Sequence, residues 1–290
     1  LYHPDSPGDL YARLTTLLGF EANAEEHKVQ WLSMAGDDRY RELFLEILSP
    51  RDTGWPRLDR TFIHGERMSG GGFSGKFYSR LGLREGAAIP EELKAPLAAG
   101  LQRALEAVVI EMAGRGENLC LAGGLALNAL LVAALERSGR WKNVFVQPAA
   151  GNSGTALGGV YHLWHQVFHE RERMPLRDLC LGPGYPAEET KRVLENCKLN
   201  YRYLPAAGEL IETAVRELRG HKIVAWMHGR MEFGPRALGN RSILASPLNP
   251  RSAEHLNLYI KHREPFRKFA LSVPEEAAGA YFEAGPNARF

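Results

Sequence analysis

Apolar positions recur at two periods along this 290-residue chain, and the places where the period changes divide it into elements. Over residues 9–19, Leu10, Leu14, Leu17 and Leu18 fall on one helical face and Gly19 ends the run. A longer stretch, residues 91–112, sets Leu93, Leu97, Leu101, Leu105, Val108, Val109 and Met112 at the same spacing and predicts a long amphipathic helix. Residues 118–122 then read as a buried strand, Gly123 and Gly124 as a turn, and the stretch to about Glu136 as a helix. Residues 143–147 repeat the strand, and the glycine-rich run 148–159 leads into another helix. Strand, glycine loop and helix, twice over, is an order that lets a nucleotide or phosphate lie against backbone amides at a helix N-terminus. A plain strand-to-helix turn calls for the same glycines.

After the charged stretch 170–175, which ends in Pro175 and suits a linker, a second pattern starts near Leu181-Gly-Pro-Gly-Tyr185. Residues 187–197 and 209–218 read as helices and 201–204 and 222–227 as strands, an alternation that predicts a layered α/β unit. The last strand opens onto Met231-Glu-Phe-Gly-Pro-Arg-Ala-Leu-Gly-Asn-Arg-Ser242, the densest chemistry in the chain. Gly234 and Gly239 permit backbone conformations closed to other residues. Pro235 to Leu238 reads as one helical turn that Gly239 ends. Arg236 and Arg241 flank this turn, and two planar guanidinium forks beside free helix N–H groups would form an anion pocket. A Gly/Pro turn with solvated arginines satisfies the same spacing.

Composition narrows the options. At 44% apolar content the chain can bury substantial cores, and its length suggests about two domains. Lys and Arg total 36 against 34 acidic residues, so nothing in the balance argues for nucleic acid or a membrane, and any anion site must be local. The three cysteines, Cys120, Cys180 and Cys197, show no CxxC spacing, which argues against a disulfide scaffold or zinc finger and fits a cytoplasmic location. The uncharged run 119–135 is shorter than the ~20 residues a membrane span needs and reads as core. Gly70-Gly-Gly-Phe-Ser-Gly75-Lys76 nearly matches a phosphate-binding loop, but Phe77 stands where Ser or Thr must supply a hydroxyl to magnesium. A flexible loop over the site, or a plain turn, explains those glycines better. His162, His165 and His169 share a helix face, yet no carboxylate joins them, and solvated histidines are the plainer reading.

The wording of residues 229–244, Gly-Arg-Met-Glu-Phe-Gly-Pro-Arg-Ala-Leu-Gly-Asn-Arg-Ser-Ile-Leu, followed by Ile260-Lys-His-Arg-Glu-Pro-Phe-Arg267, resembles the C-terminal signature of a family. These are the O-carbamoyltransferases of nodulation-factor and antibiotic biosynthesis, of the cephamycin and tobramycin type. The resemblance implies an α/β chain. The C-terminal part of an actin-like, sugar-kinase-like (ASKHA) domain would cover residues 1–175, and the start of a threonylcarbamoyl-AMP synthase-like domain residues 176–290. It also implies two-step chemistry, in which carbamoyl phosphate and ATP give carbamoyl-adenylate and pyrophosphate, and the carbamoyl group then moves to a hydroxyl of a small-molecule or sugar acceptor.

The same resemblance assigns residues. Arg236, Arg241, Glu232, Lys261 and Arg263 would act on the phosphates, with Gly234, Gly239, Asn240, Ser242 and Arg267 lining that site, where several cations suit ATP, its Mg2+ and carbamoyl phosphate together. Gly123, Gly124, Asn128, Gly151, Asn152 and Gly154 match the carbamoyl-adenylate loops, and Glu26 and Lys28 match a segment that approaches the transfer site. Asn152 stands where many members carry an Asp that completes an iron or other divalent-metal site with histidines of an earlier segment. An amide oxygen can still ligate a hard cation but brings no charge. The chain starts without Met and stops at Phe290, so a longer parent is expected, with the 290-residue piece inactive by itself. Two other readings stay open: carbamoylation of a protein cysteine, as in hydrogenase maturation, and a nucleotide-binding remnant without turnover.

Overall fold

The longest apolar period becomes the longest helix, and it organises the first half of the chain. In the computed structural model, which describes residues 5–48, 57–65, 69–283, 285 and 287, four shorter helices precede it. They are α1 (Pro7–Leu17), α2 (Glu26–Ser33), α3 (Arg41–Ile47) and α4 (Gly75–Arg80). The long helix is α5 (Glu91–Ala113), and its Leu97, Leu101 and Leu105 are fully buried, together with Leu10 and Leu14 of α1, Phe44 and Ile47 of α3 and Phe77 of α4. Each such side chain contributes roughly 1.5–3 kcal/mol through removal from water. Helices α2 and α3 pack on α5, and α3 approaches closely at Gly100, where a Cβ would lie 2.8 Å from the Tyr40 carbonyl carbon.

Of the two readings of the glycines at 70–72, the structure has the turn, over Ser69–Gly72. All three take positive φ, of 60°, 75° and 64°, and the Gly71 carbonyl faces the side chain of Arg13, a residue 1% exposed. Arg13 pairs with Asp9 at 2.7 Å and donates to the carbonyl oxygens of Gly65 at 2.9 Å and Gly71 at 3.4 Å. A side chain at Gly71 would collide with the Arg13 carbonyl. Phe77, the residue that spoils the phosphate-loop match, is there because it fills the core against Phe44 and Phe73.

Two parallel strands follow, β1 (Gly116–Leu121) and β2 (Trp141–Val146), in register from Gly116 opposite Trp141 to Leu121 opposite Val146. Between them lie a turn, Gly124–Leu127, and helix α6 (Ala129–Arg137). The strand expected to be buried is buried on one face only. Leu119, Leu121 and Val144 pack against the core, while Cys120 and Phe145 on the other face are exposed, because alternate side chains of a strand point to opposite sides and the helices cover one of them. These elements, with residues 266–289, form one compact unit, and residues 152–265 form a second.

The second unit holds α7 (Gly154–His162), α8 (Ala187–Asn196) and α9 (Ala207–Arg219), then the antiparallel pair β3 (Val224–Met227) and β4 (Arg241–Leu244). A helical stretch, Ser252–His255 continued by Leu256–Ile260, follows. The strand expected at 201–204 does not form: its tyrosines and leucine have strand propensity, but nothing pairs with them in a ladder, and Tyr203 is 70% exposed. Among the described residues no helix is long and apolar enough to cross a membrane.

Candidate functional site

The arginine motif is the connection of the β3–β4 hairpin, with Met227 opposite Arg241 in the ladder. The helical turn expected over Pro235 to Leu238 is absent, and the physical reason is Glu232. This side chain is 8% exposed, and its Oε1 accepts from the backbone N–H groups of Leu238 at 2.8 Å, Asn240 at 2.7 Å and Arg241 at 3.1 Å. Three amides drawn to one carboxylate oxygen curl the chain around it instead of along a helix axis. Gly234 and Gly239 have φ of 106° and 108°, the conformations their glycine identity was expected to serve.

Arg241, expected as a phosphate fork, begins β4 and turns its guanidinium onto the loop itself. Nη1 donates to the carbonyls of His228 at 3.0 Å and Asn240 at 2.8 Å, and Nη2 to Gly229 at 3.2 Å. Arg236 is exposed. Ser242 Oγ accepts from Gly239 N–H at 3.1 Å. A second segment braces the loop from the side. Phe233 N–H donates to Leu179, Met231 N–H to Pro183 and Gly182 N–H to Met231, all between 2.7 and 2.9 Å. Arg230 donates to the carbonyls of Gly182 and Leu181, and the Asn240 amide bridges Arg230 O at 2.7 Å and Cys180 Sγ at 3.0 Å. Arg230 and Cys180 were missed in the sequence, although Leu181-Gly-Pro-Gly-Tyr185 had marked the bracing segment.

Burial by itself would push the Glu232 carboxyl up. The N–H groups of Leu238, Glu232 itself, Asn240 and Arg241 overcome that and hold it down to about 2, against an ordinary 4.5. A depressed carboxyl contributes stability that is complete above its unfolded value and is lost as pH falls from there through the folded one. The thermal midpoint of the second unit is therefore expected to fall more steeply between pH 4.5 and 2 in the native chain than in Glu232→Gln. Parallel curves for the two proteins would remove Glu232 from the acid response.

Lys261 and Arg263 follow the helical stretch of the same unit. Lys261 is exposed, while Arg263 Nε donates at 2.7 Å to Oδ1 of Asn257, which is 1% exposed. Arg267 belongs to the first unit, where partial desolvation and then the Arg267 charge lower the pKa of His27. In that unit Glu26 Oε1 accepts from Asn23 N–H at 2.5 Å in the turn ahead of α2, and Lys28 pairs with Glu25 at 2.5 Å while lying over the Phe20 ring.

The carboxyl ends of β1 and β2 are where both glycine loops of the first unit meet. Gln147 N–H donates to Leu121 and Gly123 N–H to Ala150, at 3.0 and 2.9 Å, so Gly123, Gly124 and Gly151 lie beside one another past the strand ends. In a parallel sheet that crevice is the usual ligand position. Asn128 points the other way. It is 7% exposed, caps α6 by accepting from Leu131 N–H, and exchanges two hydrogen bonds with the buried Gln102 amide, to which Tyr11 also donates. Burial pushes the Tyr11 hydroxyl well above its usual range, so it stays a donor.

Asn152 is exposed, and its carbonyl accepts from both N–H and Oγ1 of Thr155 just ahead of α7, where Gly154 is the first residue. His165 bonds the Glu170 carbonyl and stacks on Tyr161. Among the described residues no three His, Cys, Asp or Glu side chains converge as metal ligands.

Comparison with known proteins places this geometry. The Carbamoyltransferase N-terminus family matches residues 1–160 and the Carbamoyltransferase C-terminus family residues 215–290. An uncharacterized protein of Synechocystis is 36% identical over 98% of this chain and 48% of its own length. Nodulation protein NolO of Bradyrhizobium diazoefficiens is 34% identical over 89% of this chain and 47% of its own, and nodulation protein NolNO of Sinorhizobium fredii 33% identical over 96% and 40%. The chain thus spans about half the length of these curated relatives or less. With one family profile covering more than half of its residues and relatives above 30% identity along nearly its whole length, the chain belongs to the carbamoyltransferase family.

Proposed function

We propose that this chain serves ATP-dependent O-carbamoyl transfer through a carbamoyl-adenylate. The observation that carries the reading is the hairpin connection 228–240, a loop held by internal hydrogen bonds that carries two exposed arginines, Arg230, which donates to the carbonyls of Gly182 and Leu181, and Arg236. A guanidinium carried on a loop of held backbone suits phosphoryl chemistry, where catalysis is mostly positioning and charge stabilisation. Atoms balance if carbamoyl phosphate takes up water and releases inorganic phosphate as carbamate forms. A carbamate oxygen then attacks the α-phosphorus of ATP, and the bond to pyrophosphate breaks. In the second step an acceptor hydroxyl attacks the carbamoyl carbon, AMP leaves, and the hydroxyl proton goes to solvent or a base.

In this reading Arg236 holds phosphate oxygens and Lys261 and Arg263 add charge within the same unit, with Mg2+ arriving on ATP. The amides near Gly123, Gly124 and Gly151 line the nucleotide side of an actin-like domain over residues 1–175, and residues 176–290 belong to a threonylcarbamoyl-AMP synthase-like one. The acceptor is a small-molecule or sugar hydroxyl. In the full-length parent, labelled pyrophosphate should exchange into ATP only when carbamoyl phosphate is present. Exchange at full rate with ATP alone would contradict the mechanism.

A further inference from the structure

We propose that Glu232 is a positioning residue, an internal anion that builds the Arg236 loop before any substrate arrives. Backbone amides converging on one point are the usual receptor for a phosphate oxygen, and here three of them, from Leu238, Asn240 and Arg241, converge on a carboxylate oxygen of the same loop. The carboxylate itself is held from behind. The residues on either side of it, Met231 and Phe233, donate their N–H groups to Pro183 and Leu179, and Asn240, whose N–H Glu232 accepts, is tied by its side chain to Arg230 O and Cys180 Sγ.

Arg236 lies in the arc between Glu232 and Leu238, so both ends of its segment are pinned. Arg241 closes the far side through the carbonyls of His228, Gly229 and Asn240. Of the amides in the turn expected to receive phosphate, that of Leu238 is therefore already occupied, and recognition falls to side chains that the Glu232 carboxylate aims. This assignment deepens the phosphate reading of the loop and rests on it.

The test uses the 290-residue chain, in native form and as Glu232→Ala and Glu232→Gln, with tripolyphosphate as the probe. Amide hydrogen exchange is read at Leu238, Asn240 and Arg241, and amides of β1 and α5 in the other unit serve as an internal folding control. In Glu232→Ala the three amides are expected to exchange about tenfold faster or more, as loss of a charge-assisted hydrogen bond implies. Tripolyphosphate should bind about tenfold more weakly for the same reason. Glu232→Gln, which keeps one acceptor oxygen without charge, should fall between. Formate, a carboxylate small enough for the space left by Glu232→Ala, should slow exchange again and recover affinity.

Weaker binding with unchanged exchange would overturn the proposal, because the carboxylate would then be acting on the ligand directly. Faster exchange with unchanged binding would overturn it too, since loop order would not matter to phosphate. A native chain that binds no tripolyphosphate, but whose three amides respond to Glu232 and formate as described, would instead remove the phosphate reading.

Discussion

Replacing Arg236 with Lys is expected to slow carbamoyl-adenylate formation by roughly 5- to 150-fold, the ~1–3 kcal/mol of a charge-assisted hydrogen bond whose fork geometry is lost. Folding stability should move by about 0.5 kcal/mol, because Arg236 is exposed at its surface even though partial desolvation of its guanidinium lowers its pKa. Arg241→Lys should behave in the opposite way. Its two terminal nitrogens reach three carbonyls on both sides of the hairpin, a span one ammonium cannot reproduce. The expected result is a loss of about 1–3 kcal/mol in stability of the second unit. Pyrophosphate release and thermal midpoint measured on the same two variants of the full-length parent decide the matter. If Arg241→Lys lost turnover with its midpoint intact, the division of labour between the two arginines would be wrong.

Asn128→Ala is expected to destabilise the first unit by about 2–4 kcal/mol, combining a lost helix cap of ~1 kcal/mol with the ~1–3 kcal/mol of leaving buried partners unsatisfied. Those partners are the Leu131 N–H and the amide of Gln102, itself 3% exposed. Removing Asn128 would also strip Gln102 of one acceptor, leaving its Nε2 only the Glu106 carboxylate, whose pKa burial raises. ATP affinity per folded molecule should hardly change. Denaturant unfolding and nucleotide titration would reveal the reverse pattern, unchanged stability with lost affinity, if Asn128 faced a ligand.

Much of the scaffold was legible because it depends on neighbours in sequence. The apolar period of α5, the strand–glycine–helix order after it, and the glycines at 234 and 239 are each decided by a few adjacent residues. What escaped was decided at a distance. Arg13 meets Gly71 fifty-eight positions away, and Gln102 meets both Tyr11 and Asn128, ninety-one and twenty-six positions off. No periodicity announces such partners. At 235–238 the local preference for a helical turn was real, but it competed with a buried carboxylate for the same N–H groups and lost. At 201–204 the propensity for a strand had no neighbouring strand to meet. For Arg241 the residue type was read correctly as a strong donor, while which acceptors it would face depended on how the hairpin closed.

The inward turn of Glu232 also fixes when disorder is lost. Holding one residue in a single backbone well costs about 1–2 kcal/mol of conformational entropy, and a connection the length of 228–240 would levy that on each binding event if substrate had to order it. With a carboxylate built into the loop, the ordering accompanies folding of the second unit. If the loop receives phosphate as proposed, an incoming anion then gives up little beyond its own freedom, so a small anion with few contacts can still be held in place.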